Sequence, residues 1–295
     1  MRLQQNNLDE AARYQLQAFA DWLLKIGDGN VPSVDSNDDE EGDCIEIPQE
    51  FLIQSPRDPI EAIIDAIYQH FDMNYTDANF LRQRAIITTY NETVDKINEV
   101  MIQRIKTPEK TYLSSDYISK SSTDADAHES LYSIEFLNTL KFTGIPNHEI
   151  TLKVGCAIML IRNISQANGL CNGTRLIVTQ LCPNIIEARI ISGSNIGEKV
   201  YIPRIIMSMQ NSKWPFIMCK KQFPIRLSYA MTINKSQGQT LDLVGLYLPR
   251  HVFSHGQLYV ALSRVTSSRG LKILILDNNG KYTNKTRNVV YREIF

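Results

Sequence analysis

Nowhere in these 295 residues does a G-x-x-x-x-G-K-[ST] string occur. Such a string places backbone amides around nucleotide phosphates and a hydroxyl on magnesium, so its absence excludes a phosphate cradle of that kind within this stretch. Gly280-Lys281 comes nearest, but Tyr282 follows and no glycine stands five positions before Gly280, so a surface turn is expected. The run Ile273-Leu-Ile-Leu-Asp277 imitates an apolar strand ending in a magnesium-binding aspartate, yet no acidic partner follows it. Cysteine is sparse: five residues, at 44, 156, 171, 182 and 219, with no C-x-x-C. An odd count without that pairing argues for reduced thiols and against zinc. There is no apolar run long enough for a bilayer and no charged-then-apolar leader, so neither membrane nor secretion is expected. A basic excess is missing too, since 31 Lys and Arg against 32 Asp and Glu give a net charge of −1. A protein that holds nucleic acid without sequence preference often carries such an excess, because phosphate neutralisation supplies its affinity.

What is present is more specific. Asp35-Ser-Asn-Asp-Asp-Glu-Glu-Gly-Asp43 concentrates much of the negative charge in one stretch, which reads as a solvated loop. The rest of the surface can then present a local basic groove, with Arg162, Arg175, Arg204, Lys220, Lys221, Arg226 and Lys235 as its candidates. At 43% hydrophobic content and this length, two modest cores are expected.

Two neighbouring runs stand out. In Gly256-Gln-Leu-Tyr-Val-Ala-Leu-Ser-Arg-Val265, the preceding Ser254 and Gln257 have the S-x-x-Q form of a capping box, which predicts a helix starting near residue 255. Leu258, Ala261, Leu262 and Val265 fall at i, i+3, i+4 and i+7, a buried stripe. Arg264 lies off that stripe, presented on a rigid element as a phosphate-directed arginine would need to be; an ordinary solvated arginine is the plain alternative. In Ser228-Tyr-Ala-Met-Thr-Ile-Asn-Lys-Ser-Gln-Gly-Gln-Thr-Leu-Asp242, the first residues read as a strand end or as a short helix capped at Ser228. Gly238 fits the left-handed position just past a helix. Lys235, Ser236, Gln237 and Gln239 crowd around it and offer donors to phosphate oxygens.

The order of these runs resembles the second motor domain of superfamily-one DNA helicases of the petite-integration-frequency (Pif) type, including Helitron-like forms. The resemblance extends through Lys153-Val-Gly-Cys-Ala-Ile-Met-Leu-Ile-Arg-Asn163, Asn168-Gly-Leu-Cys-Asn-Gly-Thr-Arg-Leu176, Gln222-Phe-Pro-Ile-Arg-Leu227 and Ala85-Ile-Ile-Thr-Thr-Tyr-Asn-Glu-Thr-Val-Asp-Lys-Ile-Asn98. It implies an α/β fold: a RecA-like parallel-sheet motor domain with an inserted small β-barrel of Src-homology-like type. It also implies the site. Arg264 and, from the truncated run Met1-Arg2-Leu3, Arg2 would be catalytic arginines; Gln257, Gly238 and Gln239 would serve the nucleotide. Thr232, Asn234, Lys235, Ser236, Gln237 and Thr240 would contact single-stranded DNA. ATP and Mg2+ would be the cofactors of the complete enzyme, held mostly by a P-loop motor domain that these residues lack, with no metal site and no tight cofactor binding expected here.

The function implied is therefore part of an ATP-dependent 5′-to-3′ DNA helicase, acting in recombination, repair, telomere maintenance or transposon replication. A second reading is a non-hydrolysing module that binds single-stranded DNA or a partner helicase, and a third is an inactive gene fragment. The expected setting is intracellular, the nucleus ahead of the cytoplasm.

Residues 1–147 and 225–295 are expected to form the motor domain, and 148–224 the barrel. Within the first stretch, amphipathic helices are expected over 8–24 and 60–70, a strand over 85–89, a helix capped by Asn91, and an irregular connector over 112–133. The barrel strands are expected at 154–161, 175–181, 185–191 and 199–205. His251 and His255 lack a third ligand, so metal binding is not expected there. Trp214-Pro-Phe216 could stack on a base, but an aromatic beside a proline is more often core or hinge.

Overall fold

The computed structural model describes residues 10–34, 41–55, 57–120, 131–209 and 214–291. Two units emerge: Met1–Asn74, Asn79–Met101 and Tyr229–Phe295 form one, while Tyr75–Ala78 and Ile102–Ser228 form the other.

The first unit is built on strands that read as apolar runs. Ala230–Thr232, Arg84–Thr88, Leu243–Leu248 and Leu271–Leu276 lie parallel in that spatial order, and Tyr282–Thr283 adds an antiparallel edge. A parallel sheet must be covered on both faces, which is why its strands are apolar throughout rather than alternating. One face carries Ala85, Ile87, Val244, Leu246, Leu248, Ile273 and Ile275, packed with Phe19, Leu23 and Ile26 of the helix Glu10–Gly27 and with Leu258, Ala261 and Leu262 of the helix Gln257–Leu262. Across the other face runs the helix Pro59–Ile67. Asp58 caps it, its Oδ1 accepting from Ile60 N at 2.9 Å and Glu61 N at 3.1 Å. Gly245 makes that packing possible, because a Cβ there would stand 2.5 Å from Ile67 Cγ1 and 3.0 Å from Ile63 Cδ1.

The helix expected over 8–24 is Glu10–Gly27, that over 60–70 is Pro59–Ile67 followed by the short Phe71–Asn74, and the strand expected over 85–89 is Arg84–Thr88. The next helix, Asn91–Gln103, begins at Asn91 itself. Residues 35–40 of the acidic stretch lie outside the described residues; Asp43 is not loop but the first residue of the strand Asp43–Glu46, paired with Lys285–Asn288.

The second unit differs from the expected barrel. Ile225–Leu227, Ala157–Leu160, Arg175–Leu181, Ile185–Ile190 and Lys199–Pro203 form an antiparallel five-stranded sheet in that order. Among the described residues its two edge strands do not pair, so the sheet is open rather than closed. After Pro203 the chain instead joins another sheet, where Ile205–Met209, Met218–Gln222 and Ser115–Ile118 pair in turn. Glu109–Leu113 pairs with Glu149–Lys153. These pairings carry residues 102–147 into the second unit, and the connector expected over 112–133 supplies strand residues up to Ile118. Charged residues such as Glu109, Lys110 and Asp116 mask the alternation in the sequence.

The basic groove is also reduced. Lys220 and Asp116 form an ion pair at 3.1 Å with side chains 1% and 0% exposed. Ser114 Oγ donates to Asp116 Oδ1 at 2.6 Å, and His148 Nδ1 lies 3.0 Å from Asp116 Oδ2. Arg175 is likewise buried, its Nη2 donating to Ser228 O at 3.1 Å. These two cations therefore serve the interior of the unit and present no charge to solvent. Trp214 packs against Tyr132, Phe136 and Phe216 beside the small core of Ile118, Leu137 and Met218. Among the described residues, no helix is long and apolar enough to cross a membrane, and no group of three or more His, Cys, Asp or Glu is placed to hold a metal ion.

Candidate nucleotide and nucleic-acid site

The sheet of the first unit places the candidate residues along two opposite edges. Thr232 closes the strand Ala230–Thr232 and pairs with Thr88, which pairs in turn with Tyr247, so the three stand in a row at the carboxyl ends of parallel strands. That edge is where open α/β sheets take their ligands, since loops diverge there and helices begin. The short helix Ile233–Ser236 follows Thr232 directly, which decides between the two readings of this run: strand first, then helix.

Gly238 then takes φ +81°, the left-handed conformation expected just past a helix, with open space where a Cβ would stand. From there the chain reaches the amino edge. Leu241 N donates to Arg264 O at 2.9 Å, and Asp242 N and Leu243 N both donate to Gln83 O, at 2.8 and 3.0 Å. Arg84–Thr88 separates the edges by about 13 Å at the usual rise per strand residue.

Arg264 belongs to the amino edge. The helix Gln257–Leu262 ends before it, so the arginine sits in the following turn rather than on the helix. Rigidity comes from hydrogen bonds instead. Its Nε donates to Val260 O at 2.8 Å, Nη2 to Ser263 Oγ at 2.8 Å and Nη1 to Gln239 O at 3.4 Å. Burial pulls its pKa below the ordinary arginine value, opposed only by Tyr259. Among the described residues no carboxylate pairs with it, which leaves a half-buried cation without a counter-charge.

The remaining candidates divide by where their polar atoms point. Asn234, Gln237, Gly238 and Thr240 are exposed, and Thr232, Lys235 and Gln239 half-buried. Ser236 is fully buried and its Oγ donates to Ile233 O at 2.7 Å, a bond within its own turn. Gln239 Nε2 donates to Lys235 O at 3.4 Å. Gln257 is buried, its Oε1 accepting from Phe253 N at 3.0 Å. The expected capping box does not form: Gly256, at φ +68°, precedes the helix, which starts at Gln257 with no side-chain cap. The left-handed glycine turns the chain between Ser254 and the helix, so Ser254 contributes its carbonyl to Gln257 N at 3.2 Å. Arg2 lies outside the described residues.

Sequence reasoning passed over Thr88, Thr89 and Tyr90. Thr88 is fully buried and Thr89 is 6% exposed, yet neither hydroxyl has a hydrogen-bond partner. Buried polar atoms are nearly always paired, so two unpaired hydroxyls in succession stand out at the carboxyl edge, just before the helix Asn91–Gln103. The available signal was the pair of threonines ending an apolar strand immediately before a helix. The other polar features are engaged elsewhere. His251 Nδ1 lies 3.3 Å from Thr286 Oγ1, His255 Nδ1 accepts from Tyr291 N at 2.9 Å, and Asp277 Oδ1 accepts from Asn279 N and Lys281 N within a turn.

Residues 135–181, within the second unit, match the family described as the 2B domain of DNA helicase Pif1. The chain is 37% identical over 146 residues to the ATP-dependent DNA helicase PIF1 of Homo sapiens, and 34% identical over 148 residues to that of Bdellovibrio bacteriovorus. Over those stretches this chain is similar to Pif1 helicases. The aligned stretch takes in 48% of this Pif1-like chain and 22% of the human relative, and 50% and 32% for the bacterial one. The chain thus spans well under half the length of these curated relatives. A solved structure of Pif1 helicase from Candida albicans superposes on 94% of the Pif1-like chain and 56% of its own, with a TM-score of 0.58 at 20% identity. That likeness establishes a RecA-like helicase fold.

Proposed function

We propose that this chain is the nucleotide-sensing and strand-tracking portion of an ATP-dependent 5′-to-3′ DNA helicase. The observation that carries the reading is Arg264: a half-buried guanidinium with no carboxylate partner among the described residues, fixed to Gln239 O and to the chain that leads from Thr232. A cation held in that way is suited to a phosphate that forms and leaves. Its charge would stabilise the transferred phosphoryl group when a P-loop motor domain presents ATP and Mg2+, while Thr232, Asn234, Lys235, Gln237 and Thr240 follow a single DNA strand. The residues here fit only the phosphate end of the nucleotide, since they supply a guanidinium and no cradle. An intracellular, nuclear setting and a role in recombination, repair, telomere maintenance or transposon replication accompany this reading.

The chain on its own is then a weak strand-holding module. Fluorescence anisotropy with a labelled oligothymidine over a salt series tests it: binding is expected at low salt, falling with a shallow slope as salt rises, because few phosphates are contacted. Lys235→Ala should weaken all sequences equally. Steady-state ATP hydrolysis should be undetectable with or without DNA. Absence of binding at low salt removes the strand-holding reading. DNA-stimulated hydrolysis lost in Arg264→Ala would instead make the chain a complete enzyme.

A further inference from the structure

At the carboxyl edge of the parallel sheet, two aromatic side chains from different segments meet on the surface. Tyr90 follows the strand Arg84–Thr88, and Phe253 lies between the strand Leu243–Leu248 and the helix Gln257–Leu262; their ring centroids are 5.4 Å apart with planes at 34°. Phe253 is 53% exposed. Arg250, also exposed, holds its guanidinium carbon 5.3 Å from the Tyr90 centroid and has no ion pair among the described residues. Single exposed apolar residues are common on proteins, but a paired aromatic surface with an uncompensated cation beside it is a specific composition.

The backbone beneath Phe253 is held firmly. Val252 is buried, and the buried Gln257 amide accepts from Phe253 N at 3.0 Å. The glutamine assigned by resemblance to the nucleotide therefore presents this phenylalanine to solvent. On the other side, Tyr90 stands between the unpartnered hydroxyls of Thr88 and Thr89 and the start of the helix Asn91–Gln103. An aromatic pair and a cation over one of its rings are thus brought together in space from two separate segments.

We infer that the Phe253–Tyr90 pair is a stacking subsite for one base of a single-stranded nucleic acid, with Arg250 neutralising an adjacent phosphate. Every base has a π-face, so stacking of this kind is tolerant of sequence and adds affinity that phosphate contacts do not. It also answers the missing basic excess: at a net charge of −1, the strand is retained through rings as well as through lysines and arginines. This inference rests on the strand-holding reading above and extends it to a base.

The test compares two labelled strands of equal length, an oligothymidine and one carrying abasic sites throughout, binding to the full chain. The wild type should prefer the base-bearing strand by about tenfold, the size of a single base–aromatic stack. Phe253→Ala should lose that preference while keeping the abasic affinity and the melting temperature, and Phe253→Trp should restore it. Lys235→Ala should weaken both strands alike. A 2-aminopurine in the strand should be quenched by the wild type and not by Phe253→Ala. If the wild type binds both strands equally, or if Phe253→Ala retains the preference, the subsite is overturned while strand holding stands. If neither strand binds, both fall together. Should Phe253→Ala lower the melting temperature and both affinities, Tyr90→Ala supplies the same comparison, and an unchanged preference there overturns the subsite.

Discussion

Arg264 is joined twice to the segment 239–241: its Nη1 donates to the Gln239 carbonyl at 3.4 Å, and its own carbonyl accepts from Leu241 N at 2.9 Å. The side-chain bond can be removed without the backbone one. Arg264→Lys should therefore leave the melting temperature nearly unchanged, as a half-buried surface substitution does. In a helicase where this chain is joined to a P-loop motor domain, the same change should reduce DNA-stimulated ATP turnover by about 10³-fold, because a lysine cannot supply the guanidinium fork. Paired thermal and steady-state measurements check both expectations.

Gly245 should tolerate no side chain. A methyl group there would meet Ile67 at 2.5 Å, so Gly245→Ala is expected to destabilise by about 1–3 kcal/mol through overpacking, and Gly245→Val by more. Removing the opposing Cγ1, as in Gly245→Ala with Ile67→Ala, should cost less than the sum of the two single changes. Urea unfolding of the single and double variants measures the coupling.

In the second unit the interior ion pair makes an asymmetric prediction. Lys220→Met leaves Asp116 buried without its lysine counter-charge and should cost about 3–5 kcal/mol. Replacing both, Lys220→Met with Asp116→Leu, should be much closer to wild type, since no uncompensated charge remains. Chemical denaturation of the two variants decides the matter.

Alkaline stability should depend on Tyr247, whose phenol burial pushes up to about 12, with Asp58 adding to the shift. In the unfolded chain this group ionises near its usual value of about 10. Between pH 10 and 12 the unfolded state therefore binds fewer protons than the folded state, and stability falls as pH rises through that window. The loss should amount to about 2–3 kcal/mol and be absent in Tyr247→Phe, as read from denaturation midpoints across the pH series.

Much of the first unit was legible because its information is local. The apolar runs at 85–88 and 243–248, the stripe Leu258, Ala261, Leu262, and the left-handed glycine at 238 each state their conformation within a few residues. The second unit was harder for the opposite reason. Glu109–Leu113 and Ser115–Ile118 become strands through partners 36 to 106 positions away, and the buried Lys220 and Asp116 look like surface charges until they meet. At the site, sequence identified the crowded turn and the arginine but not the direction of their polar atoms. Ser236 and Gln257 face inward because of bonds to Ile233 O and Phe253 N, whereas Thr89 and Phe253 acquire interest only from burial and proximity in space.

One consequence lies in how the chain crosses the sheet. Thr232 is fixed at the carboxyl edge by its pairing with Thr88, and Leu241 at the amino edge by Arg264 and its neighbours' bonds to Gln83. Between those anchors, residues 233–240 have a four-residue helix and a single left-handed glycine. One short stretch of chain thus starts beside the strand-contact candidates and ends beside the carbonyl that the Arg264 guanidinium holds. A few flexible residues inserted after Gly238 should leave the contacts at each edge intact while removing the fixed spacing between them.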